Sequence, residues 1–513
     1  MASFDHGTKV SFPAPRRGFD IAAAATQVSA RSSRPPSYAR PRILARDPNE
    51  QIQRCRHGGG TVAKKERLVN QNWWITTLLV NEHKRCPPLT RDIKADVCIV
   101  GGGFAGVAAA VEFLRSGHKV VLLEKNILGG SSSGRSAGFL TPDSELELHQ
   151  LVRRYGVKAA GEIWNAPLRG IERLVANIQK HDIECGLLKQ DSLFLGLGKG
   201  GKEAVDSEKH CREEVGFTDQ KVYDEQGLKG ILGAQGYTAG IRYGGTYGIN
   251  PMACLQGFKN LLVDHGMQIF ESTAMKRLED HTVYTHAGSV TADKIIIAVD
   301  KLDDSISPLS EEVFHAQTFL SVTEPLTDRE LRILFPSGEQ MQCWDSKLVY
   351  TYFRLTGDNR LLLGGGTAVT TYLKDAFNNP RVIRKIIAEF LEHFPELGNL
   401  SFMQFWPGQI DATRDLLPTI AAPPGQPHIR FVFGAVGIPW AVFTGSFTAR
   451  NILGAADEDY QKYFNYFSNE RNFFLPSALG KVIGKPLLFS LNNSWAKFFQ
   501  VDKLREAGPE KEF

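Results

Sequence analysis

The sequence has few of the residues that cross-link or chelate a small protein. Its 7 cysteines are scattered and odd in number, and none of them forms a C-x-x-C pair. Disulfide frameworks and zinc clusters need closely spaced cysteines, so neither is indicated and no metal site is expected. Scattered thiols fit a reducing compartment, which predicts an intracellular protein.

Long apolar runs are also missing. No stretch of 18 uncharged apolar residues occurs, and no apolar segment of the secretory type follows Met1. A helix that spans a bilayer needs about 20 such residues, so neither a membrane-spanning helix nor a secretory signal is expected. With 513 residues, 42% of them hydrophobic, the chain can still bury a large core, which predicts two interleaved domains.

Excess positive charge is confined to one end of the chain. Residues 1–70 contain 13 Lys and Arg against 5 Asp and Glu, so this tail carries +8 and, with a total of +4, the rest carries −4. An acidic body has no electrostatic reason to follow a phosphate backbone, so no nucleic-acid partner is expected. The tail, rich in Arg, Ser and Pro, is predicted to be disordered. A sharper interpretation is that the tail is a transit peptide. In that case the protein would be located in a mitochondrion or plastid and not in the cytoplasm.

A nucleotide-binding motif begins at residue 96. The apolar segment DVCIV (96–100) predicts a buried parallel strand, and Gly101, Gly103 and Gly106 follow it in G-x-G-x-x-G spacing. The first glycine permits a tight turn and the second lets the backbone approach a pyrophosphate. The third lets the next helix pack closely on the sheet.

The helix and strand that follow complete this motif. Residues 107–115 are Ala-rich and predict a helix, and the N–H groups before it, including those of Phe104 and Ala105, would face the phosphates. The next strand ends at Glu124, followed by Lys125. The Glu124 carboxylate is placed to accept hydrogen bonds from ribose hydroxyls and would repel a 2′-phosphate. The series therefore predicts a ligand with an ADP moiety and a free ribose.

A second glycine-rich segment is not predicted to bind phosphate. GLGKGGKE (196–203) has the spacing of a phosphate loop, but Glu203 stands where a Ser or Thr that binds Mg²⁺ belongs. A carboxylate there would repel phosphate. We expect a surface hairpin or loop instead.

Several distant segments together resemble the FAD-dependent amine and amino-acid oxidoreductases of the D-amino-acid oxidase superfamily. GGSSSGRSAGFL (129–140) is similar to the small Ser- and Gly-rich segment that this family places beside the flavin. TEPL (323–326) and PPLTRDIKADVCIVGGG (87–103) are closest to the γ-glutamylputrescine oxidase-like branch. The second cofactor segment and the C-terminal flavin segment of the family have counterparts in residues 244–280 with 291–302, and in residues 409–421 with 431–454.

The resemblance implies an α/β fold, α+β overall, in which a Rossmann-like FAD-binding domain is interleaved with a mixed-sheet substrate domain. A helical C-terminal extension follows. The implied division is a basic tail at 1–70, an FAD-binding domain at 71–141, 244–302 and 406–455, a substrate domain at 142–243 and 303–405, and the extension at 456–513.

The resemblance also implies a set of contacts to dissociable FAD and two catalytic positions. Arg135 would lie near the isoalloxazine, where its fixed charge favours the reduced, anionic flavin, although a surface ion pair is the alternative. Trp440 would line the active-site cavity. The other implied cofactor contacts are Ser131, Ser132, Ser133, Gly138, Met275, Ala298, Gly434, Gly437, Ile438 and Thr444.

The implied reaction oxidises the C–N bond of an amine or amino acid by hydride transfer to flavin N5. No Ser/His/Asp or paired-carboxylate constellation is expected, because the cofactor performs the difficult step. The segment RLLLG (360–364) has no lysine where sarcosine oxidases of this superfamily carry one that helps activate oxygen. Oxidase and dehydrogenase therefore both stay open, as does O₂ as the electron acceptor. WPGQIDATRD (406–415) has no Cys or His for covalent attachment of FAD.

Other functions are compatible with part of this pattern. One is a catalytically weak, flavin-containing assembly or scaffold factor, and another is a nicotinamide-dependent dehydrogenase, which the later flavin segments disfavour. Residues 463–500 are crowded with Phe, Leu and Trp between lysines. They predict amphipathic helices that either contact a membrane surface or protein partner, or pack back on the body.

Overall fold

The computed structural model describes residues 68–78, 84, 86–143, 145–300, 302, 306–347, 349–366, 380–455 and 460–469. All of these belong to one unit that spans residues 65–513. The predictions for residues 1–67, and those for the C-terminal extension beyond residue 469, lie outside the described residues.

The described chain alternates between strands and helices. The strands are β1 Val69–Asn70, β2 Ile93–Val100, β3 Val120–Leu123, β4 Phe139–Leu140, β5 Leu188–Lys189, β6 Asp191–Leu197, β7 Lys221–Asp224, β8 Tyr237–Tyr243, β9 Tyr247–Gly248, β10 Gln268–Phe270, β11 Arg277–Glu279, β12 Thr282–Tyr284, β13 Ser289–Ile297, β14 Phe314–Pro325, β15 Met341–Asp345, β16 Tyr352–Leu355, β17 Arg360–Gly365, β18 Phe402–Ala412, β19 Thr419–Ala421 and β20 Ile429–Phe433. The α-helices are α1 Trp73–Thr77, α2 Phe104–Glu112, α3 Leu148–Tyr155, α4 Val157–Lys180, α5 Gly198–Val215, α6 Glu225–Lys229, α7 Pro251–Asp264, α8 Asp328–Leu334, α9 Pro380–His393, α10 Ile438–Ile452 and α11 Tyr460–Phe467.

The first sheet is built around the predicted nucleotide motif. Its parallel strands run in the order β10, β3, β2, β13, β20, while β11, β12 and β19 pair with it in antiparallel fashion. Successive residues of β2 and β3 alternate between two hydrophobic clusters, one on each face of the sheet. Burial on both faces explains why these strands are nearly continuous apolar runs. The carboxyl ends of β2, β3 and β13 consequently lie together at one edge.

The second sheet has nine strands in the order β1, β18, β14, β17, β16, β15, β6, β8, β7. Most neighbours are antiparallel, and β1/β18 and β15/β6 are parallel. A small third sheet joins β4, β9 and β5. Strand β18 crosses the predicted boundary between residues 405 and 406, and the division into domains stays a prediction.

Three helices pack closely beside the first sheet. A Cβ atom placed on Gly445 of α10 would lie 2.0 Å from the carbonyl oxygen of Ala105 in α2, and one on Gly170 of α4 would lie 2.1 Å from that of Pro439. Only glycine permits backbones to approach this closely. These contacts fix the amino-terminal end of α2 against the middle of α10, and the amino-terminal end of α10 against α4.

The segment GLGKGGKE is not the predicted hairpin or loop. Gly198 takes a positive φ of 61° directly after β6, and α5 begins there and continues for 18 residues. The left-handed turn that glycine permits ends the strand, and the lysines and glutamates that follow are compatible with an exposed helix start. The expectation that this segment does not form a phosphate loop is unaffected.

The described part of the C-terminal extension is a helix. Tyr463 and Phe467 of α11 are buried and pack against Phe443 of α10. This segment therefore packs on the body of the protein, as one of the two interpretations predicts for residues 460–469. Within the described ranges, none of the helices is both long enough and apolar enough to cross a bilayer.

Candidate active site

One cavity of about 740 Å³ is lined by residues of both large sheets. The first sheet contributes the carboxyl ends of β2, β3 and β13, and the second contributes β14, β15, β16 and β18. The predicted residues that the structure brings to this cavity are Gly101, Gly103, Phe104, Ala105, Glu124, Lys125, Ser131, Ser132, Ser133, Arg135, Met275, Ala298, Gly434, Gly437 and Ile438.

The turn between β2 and α2 has no space for side chains. Gly101 takes a φ of 109°, and a Cβ atom on it would lie 2.1 Å from the carbonyl oxygen of Ala298. Gly106 is not on the cavity wall; a Cβ atom there would lie 1.9 Å from the carbonyl oxygen of Gly101. Gly103 precedes the first residue of α2 and provides no side-chain cap. The cap residue therefore provides no side-chain acceptor for the N–H groups of the first turn, and Gly103, Phe104 and Ala105 line the cavity.

Glu124 is buried at the end of β3 and supports this turn. Its Oε2 accepts the N–H of Gly102 at 2.7 Å, and its Oε1 accepts the N–H of Asn126 at 2.7 Å. Burial raises the pKa of this carboxyl, while the two backbone hydrogen bonds oppose that change. Each carboxylate oxygen keeps acceptor capacity for a further donor, such as a ribose hydroxyl.

The serine-rich segment forms a short 3₁₀ turn, Ser133–Arg135, beside α2. Ser133 Oγ accepts the N–H of Phe104 at 3.1 Å. Ser132 Oγ lies 2.6 Å from Asp300 Oδ2 and 2.6 Å from the carbonyl oxygen of Gln409. Asp300, which also lies 3.6 Å from Lys125 Nζ, is a cavity residue that the sequence motifs do not reveal.

Arg135 lies on the cavity wall, with its backbone anchored by the second sheet. Its Nη1 donates to the carbonyl oxygen of Pro407 at 3.2 Å, and its own carbonyl oxygen accepts Nε1 of Trp406 at 3.0 Å. Within the described part of the chain, Arg135 forms no salt bridge with a carboxylate, so the alternative of a surface ion pair finds no support there. Its charge therefore faces the cavity.

Helix α10 presents a second uncapped amino terminus to the cavity. Gly437 precedes its first residue with a φ of 96° and provides no side-chain cap. Gly434 and Ile438 line the cavity beside it. A helix amino terminus carries partial positive charge, so this end suits an electronegative group of a ligand.

Three other predicted residues lie behind the cavity wall, and one of these positions corrects a prediction. The Trp440 ring packs on Phe467 at 5.7 Å between centroids and is not part of the cavity lining, so the prediction that it lines the active site is wrong. Thr444 is buried and donates to the carbonyl oxygen of Trp440 in its own helix. Gly138 takes a φ of 73° where a Cβ atom would lie 2.1 Å from the carbonyl oxygen of Ile249. Thr444 and Gly138 therefore do not line the cavity, and they support its wall from behind.

The other end of the cavity has aromatic walls. Tyr350 and Tyr352 line it, with their rings 5.6 Å apart. Arg354, on the same strand as Tyr352, is 1% exposed and donates to the carbonyl oxygens of Ala137 and Ile249 at 2.8 and 2.5 Å. Tyr350 and Tyr352 contact the cavity, whereas Arg354 fixes the segment that follows the serine-rich turn.

A carboxyl pair that sequence reasoning missed occupies the same end. Asp143 and Glu147 both line the cavity, and their carboxyl groups are close enough to share a hydrogen bond. Oδ2 of Asp143 accepts the hydroxyls of Thr141 and Tyr243, and Oε1 of Glu147 accepts Nε1 of Trp344 at 2.7 Å. Two carboxyls are thus adjacent here, whereas the expectation that acid–base catalysis needs no carboxylate pair stays a prediction. The alternating acids of TPDSELEL (141–148) were the available signal.

A buried network lies behind this pair. Glu208 accepts the backbone N–H of His149 at 2.8 Å and Nε of Arg212 at 3.1 Å. The Arg212 guanidinium also lies 3.6 Å from the centroid of the Tyr243 ring. Burial alone would raise the pKa of Glu208, but the contacts with His149 and Arg212 outweigh it and lower that pKa. Glu208 is therefore ionised, and its charge faces Asp143 and Glu147.

The remaining group with metal-binding chemistry is remote from the cavity. Asp280, His281 and His428 have ligand atoms within 4.8 Å of one another. The two imidazole rings are stacked, 3.9 Å apart at 17°. Lone pairs of ring nitrogens lie in the ring plane, so parallel stacked rings direct them side by side and not toward one ion. This arrangement does not favour a metal centre.

The nucleotide end of the cavity fits FAD. It combines two uncapped helix amino termini, the buried Glu124 carboxylate and glycines that a methyl group could not replace. Backbone donors suit a pyrophosphate, and the carboxylate suits ribose hydroxyls.

Comparison with known proteins agrees with this fit. The sequence matches a protein family described as FAD dependent oxidoreductase over residues 96–450. It is 28% identical over 436 residues to a probable oxidoreductase, OrdL, of Haemophilus influenzae, covering 83% of this chain and 96% of that protein. It is 24% identical over 403 residues to the gamma-glutamylputrescine oxidoreductase of Escherichia coli, and the match covers 78% of this chain and 92% of that protein.

The structure is similar to that of glycine oxidase from Geobacillus kaustophilus. The TM-score is 0.63 at 17% sequence identity, and the match covers 74% of this chain and all of the other. A likeness at this identity shows a shared fold. The predicted fold class, an α/β protein with a Rossmann-like nucleotide-binding sheet next to a mixed sheet, is confirmed.

Proposed function

This chain belongs to the family of FAD-dependent oxidoreductases that its residues 96–450 match, and we propose that it oxidises the C–N bond of an amine or amino acid. Bound FAD supplies the hydride acceptor for the carbon beside the nitrogen, and water converts the resulting imine to a carbonyl compound and a free amine. The observation that carries this proposal is one cavity of about 740 Å³ in which the glycine turn and Glu124 of the first sheet and polar side chains of the second sheet line the same space.

The residues of the first sheet would hold the cofactor. The turn at Gly101 and Gly103, with the first turn of α2, would bind the pyrophosphate, and Glu124 the ribose. The amino terminus of α10 and the charge of Arg135 would stabilise negative charge that develops on the ring system. These assignments draw on the uncapped helix ends and on the absence of a carboxylate partner for Arg135 among the described residues.

The residues of the second sheet would hold the substrate. Tyr350 and Tyr352 would enclose its reacting carbon and exclude water. Burial raises the pKa of Tyr350 well above its usual value and that of Tyr352 to about 12, so both hydroxyls stay protonated at physiological pH. Neutral hydroxyls and apolar ring faces would favour the neutral amine from which hydride transfer proceeds.

Absorption spectroscopy under anaerobic conditions tests the proposal. The purified protein should absorb near ~450 nm as an oxidised flavin. Primary amines, secondary amines, polyamines and amino acids are then mixed with it in turn, and at least one should bleach this band with formation of a carbonyl product. Admission of air distinguishes the two enzyme classes, because rapid return of the band with hydrogen peroxide indicates an oxidase and slow return indicates a dehydrogenase.

Two results would contradict the proposal. Protein without flavin, even after reconstitution with FAD, would remove its basis. Bound flavin that no amine or amino acid reduces, but that dithionite does reduce, would favour the assembly or scaffold function instead.

We also propose an intracellular location. The six described cysteines, Cys86, Cys98, Cys185, Cys211, Cys254 and Cys343, are all free thiols, which supports a reducing compartment. Fusing residues 1–70 to a fluorescent protein tests the transit-peptide interpretation. Import of this fusion into an organelle would support that interpretation, and a diffuse cytoplasmic signal would contradict it.

A further inference from the structure

We propose that the carboxyl groups of Asp143 and Glu147 bind a second, non-reacting ammonium group of the substrate, so that the preferred substrate is a diamine or polyamine. This inference rests on the proposed oxidation of an amine. The substrate then carries a second positive charge, and Asp143 and Glu147 are the residues that recognise this charge.

The geometry leaves two carboxyl oxygens available to a ligand. Asp143 is 7% exposed and lines the cavity, and its Oδ1 has no hydrogen-bond donor among the described residues. Glu147 is half-buried, but its Oε2 is shielded from solvent and likewise has no donor in the described part of the chain. The hydrogen bond between the two carboxyls needs a proton on one of them. When that proton is lost, these buried oxygens have no donor among the described residues, and an ammonium group would replace it.

The nearby cations are already engaged with other groups. Arg212 contacts Glu208 and the face of Tyr243. Lys347, the lysine at this end of the cavity, lies 3.5 Å from Asp345 and 3.4 Å from Glu389. In the described ranges, neither Asp143 nor Glu147 forms a salt bridge with a Lys, Arg or His side chain. The charge of Arg212 acts on the pair without a hydrogen bond or salt bridge to either carboxyl in the described part of the chain. A cation from outside the chain could therefore contact the pair directly.

The cation at this pair is not the nitrogen that reacts. Carboxylates beside an ammonium group favour its charged form, whereas hydride can leave only from the carbon beside a neutral amine. The reacting nitrogen must therefore lie elsewhere, toward the cofactor end. Phe139, Tyr350 and Tyr352 line the cavity at the end that holds the pair, and this aromatic surface suits the methylene chain that joins two amino groups.

Binding of the cation should release a proton. The groups that face the pair are the carboxyl of Glu208, the guanidinium of Arg212, the hydroxyl of Tyr243 and the indole of Trp344. His149 lies next to Glu208, and Glu145 lines the cavity beside Tyr350. Burial and the neighbouring Asp143 and Glu208 raise the pKa of Glu147 well above its usual range. Burial also raises the pKa of Asp143, so the free pair keeps a proton to higher pH than two separate carboxyls do. An ammonium group favours ionisation of both carboxyls, and the shared proton is lost to solvent.

Two substrates with the same reacting carbon provide the test: 1,4-diaminobutane and 1-aminobutane. Anaerobic stopped-flow reduction of the holoenzyme gives an apparent Kd and a limiting reduction rate for each. We expect the Kd of the diamine to be lower by about 30-fold or more, as for a buried charge pair, with similar limiting rates. The preference for the diamine should increase as the pH rises through the titration of the pair, because a proton is released on binding.

Matched variants assign this preference to the pair. In Glu147→Gln and Asp143→Asn the advantage of the diamine should fall to about 3-fold or less, and the pH dependence of that advantage should disappear. Glu389→Gln, which removes a carboxylate that contacts Lys347 from outside the cavity lining, should keep the wild-type preference.

Thermal stabilisation of the oxidised holoprotein by each amine gives a readout that does not need turnover. The diamine should raise Tm more than 1-aminobutane in the wild type, and equally in Glu147→Gln. Equal Kd values and equal Tm shifts for the two amines in the wild type would overturn the inference while leaving amine oxidation intact. Failure of every amine and amino acid to reduce the flavin is the separate result that contradicts the proposed function.

Discussion

The carbonyl oxygen of Ala298, at the end of β13, lies 2.1 Å from the position that a Cβ atom on Gly101 would occupy. Gly101→Ala would therefore push β13 and the turn before α2 apart, at a cost of about 1–3 kcal/mol beyond the backbone strain. We expect a marked loss of bound FAD, measured as the ratio of absorbance at ~450 nm to that of the protein.

Gly117→Ala is the matched control. Gly117 also has a positive φ, 74°, but no atom lies within 4 Å of its Cβ position. This variant carries the left-handed strain without the clash, so it should keep its flavin. Equal flavin content in both variants would show that the close contact with Ala298 does not support the cofactor site.

Arg354 is expected to be essential for the stability of the cavity wall. In Arg354→Met the carbonyl oxygens of Ala137 and Ile249 lose their donor, whereas that of Leu355 keeps Gln190. Two buried acceptors without a donor cost about 2–5 kcal/mol in the free energy of unfolding. Urea unfolding measures this loss. The matched control is Arg384→Met on the exposed face of α9, which should change the free energy of unfolding by less than about 0.5 kcal/mol.

Gly364 provides the space in which the Tyr352 ring lies. The two residues pair across β16 and β17, and a Cβ atom on Gly364 would lie 2.3 Å from two ring carbons. Gly364→Ala should displace the ring at the cavity wall and weaken substrate binding or slow reduction by about 10-fold or more, with the flavin retained. Gly365→Ala is the control, because its nearest neighbours lie 3.4 Å away. Unchanged kinetics in Gly364→Ala would contradict a role for Tyr352 in substrate placement.

The raised pKa of Glu147 predicts a pH dependence of stability. A carboxyl with a raised pKa in the folded state stabilises the fold below its unfolded-state pKa, and this contribution is lost as the pH rises through the folded-state pKa. Glu147→Gln cannot ionise. From pH 5 to pH 9 the stability of the variant relative to wild type should therefore increase, by about 1.4 kcal/mol for each pH unit between the two pKa values. Urea unfolding at several pH values tests this, and a constant difference would contradict it.

FAD is expected to leave the protein without breaking a covalent bond. Within the described residues, the cavity is lined by no cysteine, and its histidine, His149, contacts Glu208 at the end away from the nucleotide turn. Acid precipitation should leave the yellow colour in the supernatant. A fluorescent flavin band that stays with the protein on a denaturing gel would be the opposite result.

Local determinants explain which predictions succeed. The strand, glycine turn, helix and Glu124 are close in sequence, and each step is fixed by a residue type that the conformation requires. Gly198 shows the limit of this approach, because the same left-handed glycine can end a strand in a loop or directly before a helix. Its neighbours in the chain do not distinguish the two outcomes.

Tertiary contacts decide the rest of the site. Whether Trp440 faces the cavity or the core depends on α11, which provides Phe467 as its neighbour from 27 positions farther along the chain. Tyr243 of β8 and Trp344 of β15, both distant in the chain, each donate to one oxygen of the pair formed by Asp143 and Glu147. No periodicity within the segment 141–148 specifies those partners.

The short connection between β4 and α3 carries Asp143 and Glu147, while the residues at the nucleotide end come from other segments of the chain. The charge that the chamber accepts and the cofactor that the protein binds are therefore encoded independently. Exchanging this one connection between homologous enzymes would be an economical route to a new substrate preference, in the laboratory and during divergence of the family, because the flavin site need not change with it.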